Sequence, residues 1–164
     1  MGSGKTVIGR SVAHILDYAF TDIDQYMRTV TGMDLPRLYK KFGEIRFRSE
    51  EKLAINKFAS GDGQVIACGG SMVPTQENLT VLAQKGYIVL LSAAPEVIME
   101  RASRKNDRFL TGRRPSLSDI CRMLDELREC FAEVEHVSID TGAISVEEAA
   151  ARVAEKYRAY LTQP

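Results

Sequence analysis

Near the amino end, Gly2-Ser3-Gly4-Lys5-Thr6 combines residue types that can hold the phosphates of a nucleotide. Two glycines let backbone N–H groups turn towards a common point, a nest for phosphate oxygens where a helix begins. Lys5 can then reach the outer phosphates, and the Thr6 hydroxyl can offer an oxygen to Mg2+. The complete pattern is G-x-x-x-x-G-K-[ST], and its first glycine falls two positions before Met1. A short G-x-G-K-T can also be a structural turn. Against that, Ile8, Val12, Ile15 and Leu16 follow on one helical face, as a loop opening a helix requires.

Two further clusters carry charge at suggestive spacing. Asp22 and Asp24 close the stretch Thr-Asp-Ile-Asp. On a strand, residues two apart share a side, which would turn both carboxylates into one cleft. Such carboxylates suit the surroundings of Mg2+ and a contact to a substrate hydroxyl, whereas the plainer role for Asp24 is a helix N-cap. In Gly-Glu-Ile-Arg-Phe-Arg-Ser-Glu-Glu, residues 43–51, Arg48 has Glu44 four residues before it and Glu51 three after. That spacing flanks a guanidinium with carboxylates on one helical face. By composition alone it reads as a solvated, salt-bridged surface, and Arg46 lies off that face as plain surface.

The elements that must position these groups alternate along the chain. Helical stretches are expected over Thr6–Leu16, Asp24–Val30, Leu35–Phe42, Glu44–Ala59, Pro74–Gln84, from Pro95, and over Asp119 to about Glu135. A last helix is expected after Ser145, capped with Glu148 in a capping box. Between them, Ala19-Phe20-Thr21, Gln64–Cys68, Tyr87–Leu91 and Val137–Asp140 read as strands. Unbroken apolar strands alternating with helices imply a parallel sheet covered on both faces. Ser103–Ser118 is polar, basic and aperiodic, which reads as a functional flap.

The 164 residues fit one domain, and 45% hydrophobic content is enough for a sizeable core. Lys plus Arg and Asp plus Glu both count 22, so no broad electrostatic footprint for nucleic acid or anionic membrane exists. Cys68, Cys121 and Cys130 lack metal-like spacing and read as reduced thiols. His14 and His136 are placed on helices without metal-like partners. No apolar run approaches the ~20 residues of a membrane helix, and no signal peptide is recognisable. The expectation is a cytoplasmic, monomeric domain spanning 1–164, with a lid at about 103–118.

The order Gly-Ser-Gly-Lys-Thr, Asp-Ile-Asp, Gly-Glu-x-x-Phe-Arg-x-x-Glu, Val-Ile-Ala-Cys-Gly-Gly and then a basic flap resembles the shikimate kinase family. The resemblance covers nearly the whole chain. It implies a three-layer α/β P-loop kinase fold that moves the γ-phosphoryl of ATP, with Mg2+, to the 3-hydroxyl of shikimate. It assigns Gly2, Ser3, Gly4, Lys5 and Thr6 to the phosphates, with Thr6 and Asp22 at the metal. It makes Asp24 the contact to the shikimate hydroxyls and the base. Arg48 and Arg128 bind the carboxylate, and Gly69 and Gly70 approach the ring. Arg101 lies against adenine, and Arg108 reaches over the phosphates as a catalytic group with Lys5 and Asp24. Gluconate kinase is an in-class alternative, and a non-catalytic binding or regulatory relative is another. The sequence departs from the family at Ser71, at Phe109 and at Glu129-Cys130-Phe131. Its first strand is expected between the strands ending at Cys68 and Leu91, with Met1 an internal methionine and that strand upstream.

Overall fold

The computed structural model describes residues 2–70, 73–104 and 110–162. In chain order the elements are α1 (Lys5–Leu16), β1 (Ala19–Asp22), α2 (Ile23–Thr31), α3 (Leu35–Ala59), β2 (Gln64–Ala67) and α4 (Gln76–Lys85). There follow β3 (Val89–Ser92), α5 (Pro95–Arg104), α6 (Leu117–Phe131), β4 (Val137–Asp140) and α7 (Val146–Leu161). The two helices expected on either side of Gly43 are the two halves of α3. Gly43 adopts φ 78° and ψ 179°, a left-handed conformation that breaks the helix cheaply only at glycine.

The strands pair in parallel, β1 with β2 and β3 with β4. One continuous sheet was expected; among the described residues there are two two-stranded sheets. Their side chains alternate with the period of two that a covered sheet demands. Val65, Val89, Leu91 and Val137 turn to a core of Ile8 and Val12 from α1 with Ala149, Ala150 and Val153 from α7. Ala149 and Ala150 are fully buried and add little bulk, so α7 can lie close to α1. On the opposite face Ile66 packs against the core of α2 and α3, while Ile88 and Leu90 meet Leu79, Phe131 and Val134. Helices therefore cover both faces, in three layers.

Several local readings shift. Helix α6 starts at Leu117, ahead of Asp119, because Ser116 and Asp119 form a reciprocal capping box there. Ser145 does accept from the Glu148 N–H at 3.1 Å, but the Glu148 carboxylate turns to Arg152 at 2.7 Å, away from the cap. His136 lies in the turn before β4, its ring edge-on to Phe131 and its Nδ1 2.7 Å from the Val134 carbonyl. Within the expected flap, α5 extends to Arg104, and Leu110 is buried in the α2–α3 core with Ile23, Met27 and Phe47. No helix among the described residues is long and apolar enough to cross a membrane.

Candidate functional site

The phosphate-loop residues meet the start of α1. Gly4 is its N-cap, at φ 91°, and supplies no side chain to the first-turn N–H groups. With no acidic residue in that turn, the positive end of the helix is left to an anion from outside. A Cβ on Gly2 (φ 71°) would stand 2.8 Å from the Ile98 carbonyl, so α5 presses directly on the loop. Lys5 Nζ lies 3.3 Å from the hydroxyl of buried Ser3.

One residue outside every motif anchors this loop. Thr141, 2% exposed, follows β4 and lies with its Oγ1 3.2 Å from the Ser3 carbonyl and 3.0 Å from the Ser92 carbonyl. Arg101 donates to Thr141 twice, to Oγ1 at 3.0 Å and to the carbonyl oxygen at 2.7 Å. Arg101 thus stands beside the nucleotide loop, held by the end of β4. A lone threonine gives no sequence signal beyond its place at the carboxyl end of a strand.

Asp22 and Asp24 reach one place by a different route from the expected one. The strand ends at Asp22, whose Oδ1 caps α2 by accepting from the Gln25 N–H at 3.0 Å. Its Oδ2 accepts from the Thr6 hydroxyl at 2.6 Å. Asp24 sits in the first turn of α2, so strand alternation does not align the pair, and the cap is Asp22 rather than Asp24. The two are close enough for the Asp22 charge to raise the pKa of Asp24. Burial is the main cause of that upward shift, which the Gly70 N–H, 3.4 Å from Asp24 Oδ2, opposes along with Arg28 and Lys5. A Cβ at Gly69 would run into Asp24 Oδ1, so glycine there leaves the carboxylate its space.

Arg48 is built in rather than solvated. Its Nε donates to Glu44 at 3.4 Å and its Nη1 to Glu51 Oε2 at 3.1 Å. Glu51 is 6% exposed and also accepts from Asn78 Nδ2 at 3.2 Å, Asn78 itself being 2% exposed. Burial raises the Glu51 pKa while the Arg48 guanidinium pulls it down. Asn78, on α4, belongs to this assembly although nothing in the sequence marks it. Lys5, Glu51, Cys68, Gly69 and Gly70 line one cavity. Burial, with the nearby Glu51 charge, pushes the Cys68 thiol up to about 12, so it packs there without serving as a nucleophile.

Arg128 is not brought to this cluster. It lies on the solvent side of α6, its side chain 72% exposed and paired with Asp125 at 2.6 Å. Arg108, Ser71 and Phe109 lie outside the described residues.

The assembled groups can hold phosphate at α1, a cation at Thr6 and Asp22, a hydroxyl at Asp24 and a carboxylate at Arg48. A family model described as "Shikimate kinase" matches residues 1–158. The chain belongs to the shikimate kinase family. It is 38% identical over 149 residues to the shikimate kinase of Pelotomaculum thermopropionicum, covering 91% of this chain and 86% of that one. Among solved structures, a shikimate kinase from Acinetobacter baumannii in complex with shikimate superposes with TM-score 0.85 at 28% identity, over 99% of this chain and 91% of that one. A gluconokinase from Sinorhizobium meliloti shares the fold at TM-score 0.59 and 18% identity, over 99% of this chain and 93% of that one.

Proposed function

We propose that this chain transfers the γ-phosphoryl group of ATP to the 3-hydroxyl of shikimate. What carries the reading is one cluster in which Asp24, a carboxylate of raised proton affinity, lies within electrostatic reach of Lys5 at an uncapped helix start and of buried Glu51, the partner that holds the Arg48 guanidinium. The N–H groups of Gly2 to Thr6 and the Lys5 ammonium hold the β- and γ-phosphates. The oxygens of Thr6 and Asp22, 2.6 Å apart, fit Mg2+, a hard cation that binds through few protein oxygens and neutralises phosphate charge when bound.

Asp24 accepts the proton of the attacking hydroxyl as the new O–P bond forms. Its raised pKa makes it a stronger base than a solvated aspartate, and its place beside Lys5 keeps it near the phosphate. Gly69 and Gly70 let the acceptor ring approach that carboxylate. Arg48 spends Nε and Nη1 on Glu44 and Glu51, leaving its other N–H groups for the acceptor carboxylate in fixed orientation. Arg128 joins it by exchanging Asp125 for substrate. Arg101 borders adenine, and Arg108 adds positive charge where the transition state spreads negative charge. Closure of the 103–118 lid excludes water from the phosphates. The reading further includes a monomer acting in the cytoplasm on small molecules alone.

The test is ADP release measured with shikimate, with gluconate and without acceptor. Shikimate-dependent release is expected, at least tenfold above the other two. Equal release with gluconate, or in the absence of acceptor, would overturn the reading.

A further inference from the structure

Thr141 stands just beyond the paired ends of β3 and β4. Ser92 and Asp140 close the register, and the next N–H, that of Thr141, donates to the Ser92 carbonyl at 2.8 Å. A strand end thus fixes where this buried side chain stands. Its hydroxyl has more neighbours than protons. Arg101 Nη1 donates to it at 3.0 Å, and the carbonyls of Ser92 and Ser3 lie 3.0 and 3.2 Å away. The Ser92 carbonyl already holds the Thr141 N–H, whereas no other donor among the described residues reaches the carbonyl of buried Ser3. An unpaired buried carbonyl is the costlier outcome, so the single hydroxyl proton serves Ser3.

The Ser3 carbonyl is one end of a peptide unit whose other end is the Gly4 N–H. In a trans peptide the two groups point in opposite directions. Holding the carbonyl on Thr141 therefore turns the Gly4 N–H away from Thr141, among the donors that precede α1. The backbone of the loop does not enforce this by itself. Gly4 lies at φ 91° and, with no Cβ, takes either orientation of that peptide at little cost. Helix α5 backs the arrangement twice. The Ile98 carbonyl leaves no room for a Cβ on Gly2, and Arg101, three residues further along the same helix, donates to both oxygens of Thr141.

We propose that Thr141 is a positioning residue for nucleotide binding: its hydroxyl fixes the Ser3–Gly4 peptide so that the Gly4 N–H is presented to a phosphate oxygen. Arg101 strengthens the relay. A hydroxyl that accepts from a guanidinium donates more strongly, and a carbonyl polarised in turn makes its own amide N–H a better donor. Loss of the hydroxyl is therefore felt at the phosphates and not at the base. The inference rests on the proposed function only in taking a nucleotide phosphate as the ligand of the loop, and nothing in it depends on the acceptor.

Two measurements on the whole chain test this, with Thr141→Val, which keeps the branched shape and removes the hydroxyl, and Thr141→Ser, which keeps the hydroxyl. In the nucleotide-free proteins the proton–nitrogen NMR signal of the Gly4 amide should move in Thr141→Val and hold its place in Thr141→Ser. Titration with ADP should then give a dissociation constant about tenfold higher for Thr141→Val, the effect of one hydrogen bond, and within twofold of the parent for Thr141→Ser. The dissociation constant of adenosine, which has no phosphate, should stay within twofold in both. An unmoved Gly4 signal, an unchanged ADP affinity, or equal weakening of ADP and adenosine overturns the proposal. Should Thr141→Val not fold, Thr141→Ala must show the same split between ADP and adenosine. Shikimate-dependent turnover of the unsubstituted chain is read separately, so failure of the kinase reading and failure of this inference are told apart.

Discussion

On α3, Arg48 is gripped by Glu44 and by buried Glu51, which Asn78 holds in turn. On α6, Arg128 faces solvent and, among the described residues, pairs with the exposed Asp125 at neighbouring helical spacing. Two arginines with one expected task thus stand in opposite conditions. The first is oriented before any ligand arrives, so little side-chain entropy remains to be lost on binding. The second must give up a partner and order a long side chain, and an exposed ion pair of that kind contributes only ~0–1 kcal/mol. On the proposed function, carboxylate recognition would therefore be asymmetric, with α3 preorganised and α6 recruited.

The largest expected effect lies beside the preorganised arm. Asp24→Asn should lower kcat by about 10²–10⁴-fold, the usual contribution of a positioned base, with the shikimate KM little changed. The same change tests the electrostatics. Because burial raises the Asp24 pKa above 3.8, ionising it costs folded-state stability as pH climbs from 3.8 through the raised value. Asp24→Asn should therefore raise Tm by a few degrees at pH 7, and that gain should vanish below pH 3.8. A gain that persists at low pH would break the assignment.

Arg48→Ala should raise the shikimate KM by about 100-fold, the loss of charge-assisted bonds worth ~1.5–3 kcal/mol each, while the ATP KM moves less than twofold. Equal rises in both would contradict the assignment, and Arg48→Lys should recover only part of the loss. Asn78→Ala should raise the shikimate KM by about tenfold with kcat retained. It should also lower stability by ~1–3 kcal/mol, because the Glu51 carboxylate loses one buried partner. Smallest, Arg128→Ala should raise the shikimate KM about three- to tenfold. A loss as large as that of Arg48→Ala would erase the asymmetry.

What the sequence made legible was chemistry that depends on residue type at short range. Gly4, Lys5 and Thr6, or Glu44, Arg48 and Glu51, sit within one helical start or one turn, so spacing alone predicts their meeting. The strand argument for Asp22 and Asp24 failed because the backbone turns from strand to helix at Ile23, where side-chain period changes from two to 3.6. Asn78 and Thr141 were illegible since a neutral polar residue gains its role from burial, which distant elements decide. Leu110, one of few apolar residues in a polar flap, was invisible for the same reason; its anchor is the α2–α3 core. The pairing of strands with one neighbour each is likewise a matter of long-range placement.

The central claim is the site of phosphorylation, and one spectrum tests it. Proton–phosphorus correlation NMR of the product formed from ATP and shikimate should couple phosphorus to the proton on C3. Coupling at C4 or C5, or a phosphorus signal from inorganic phosphate alone, would contradict it.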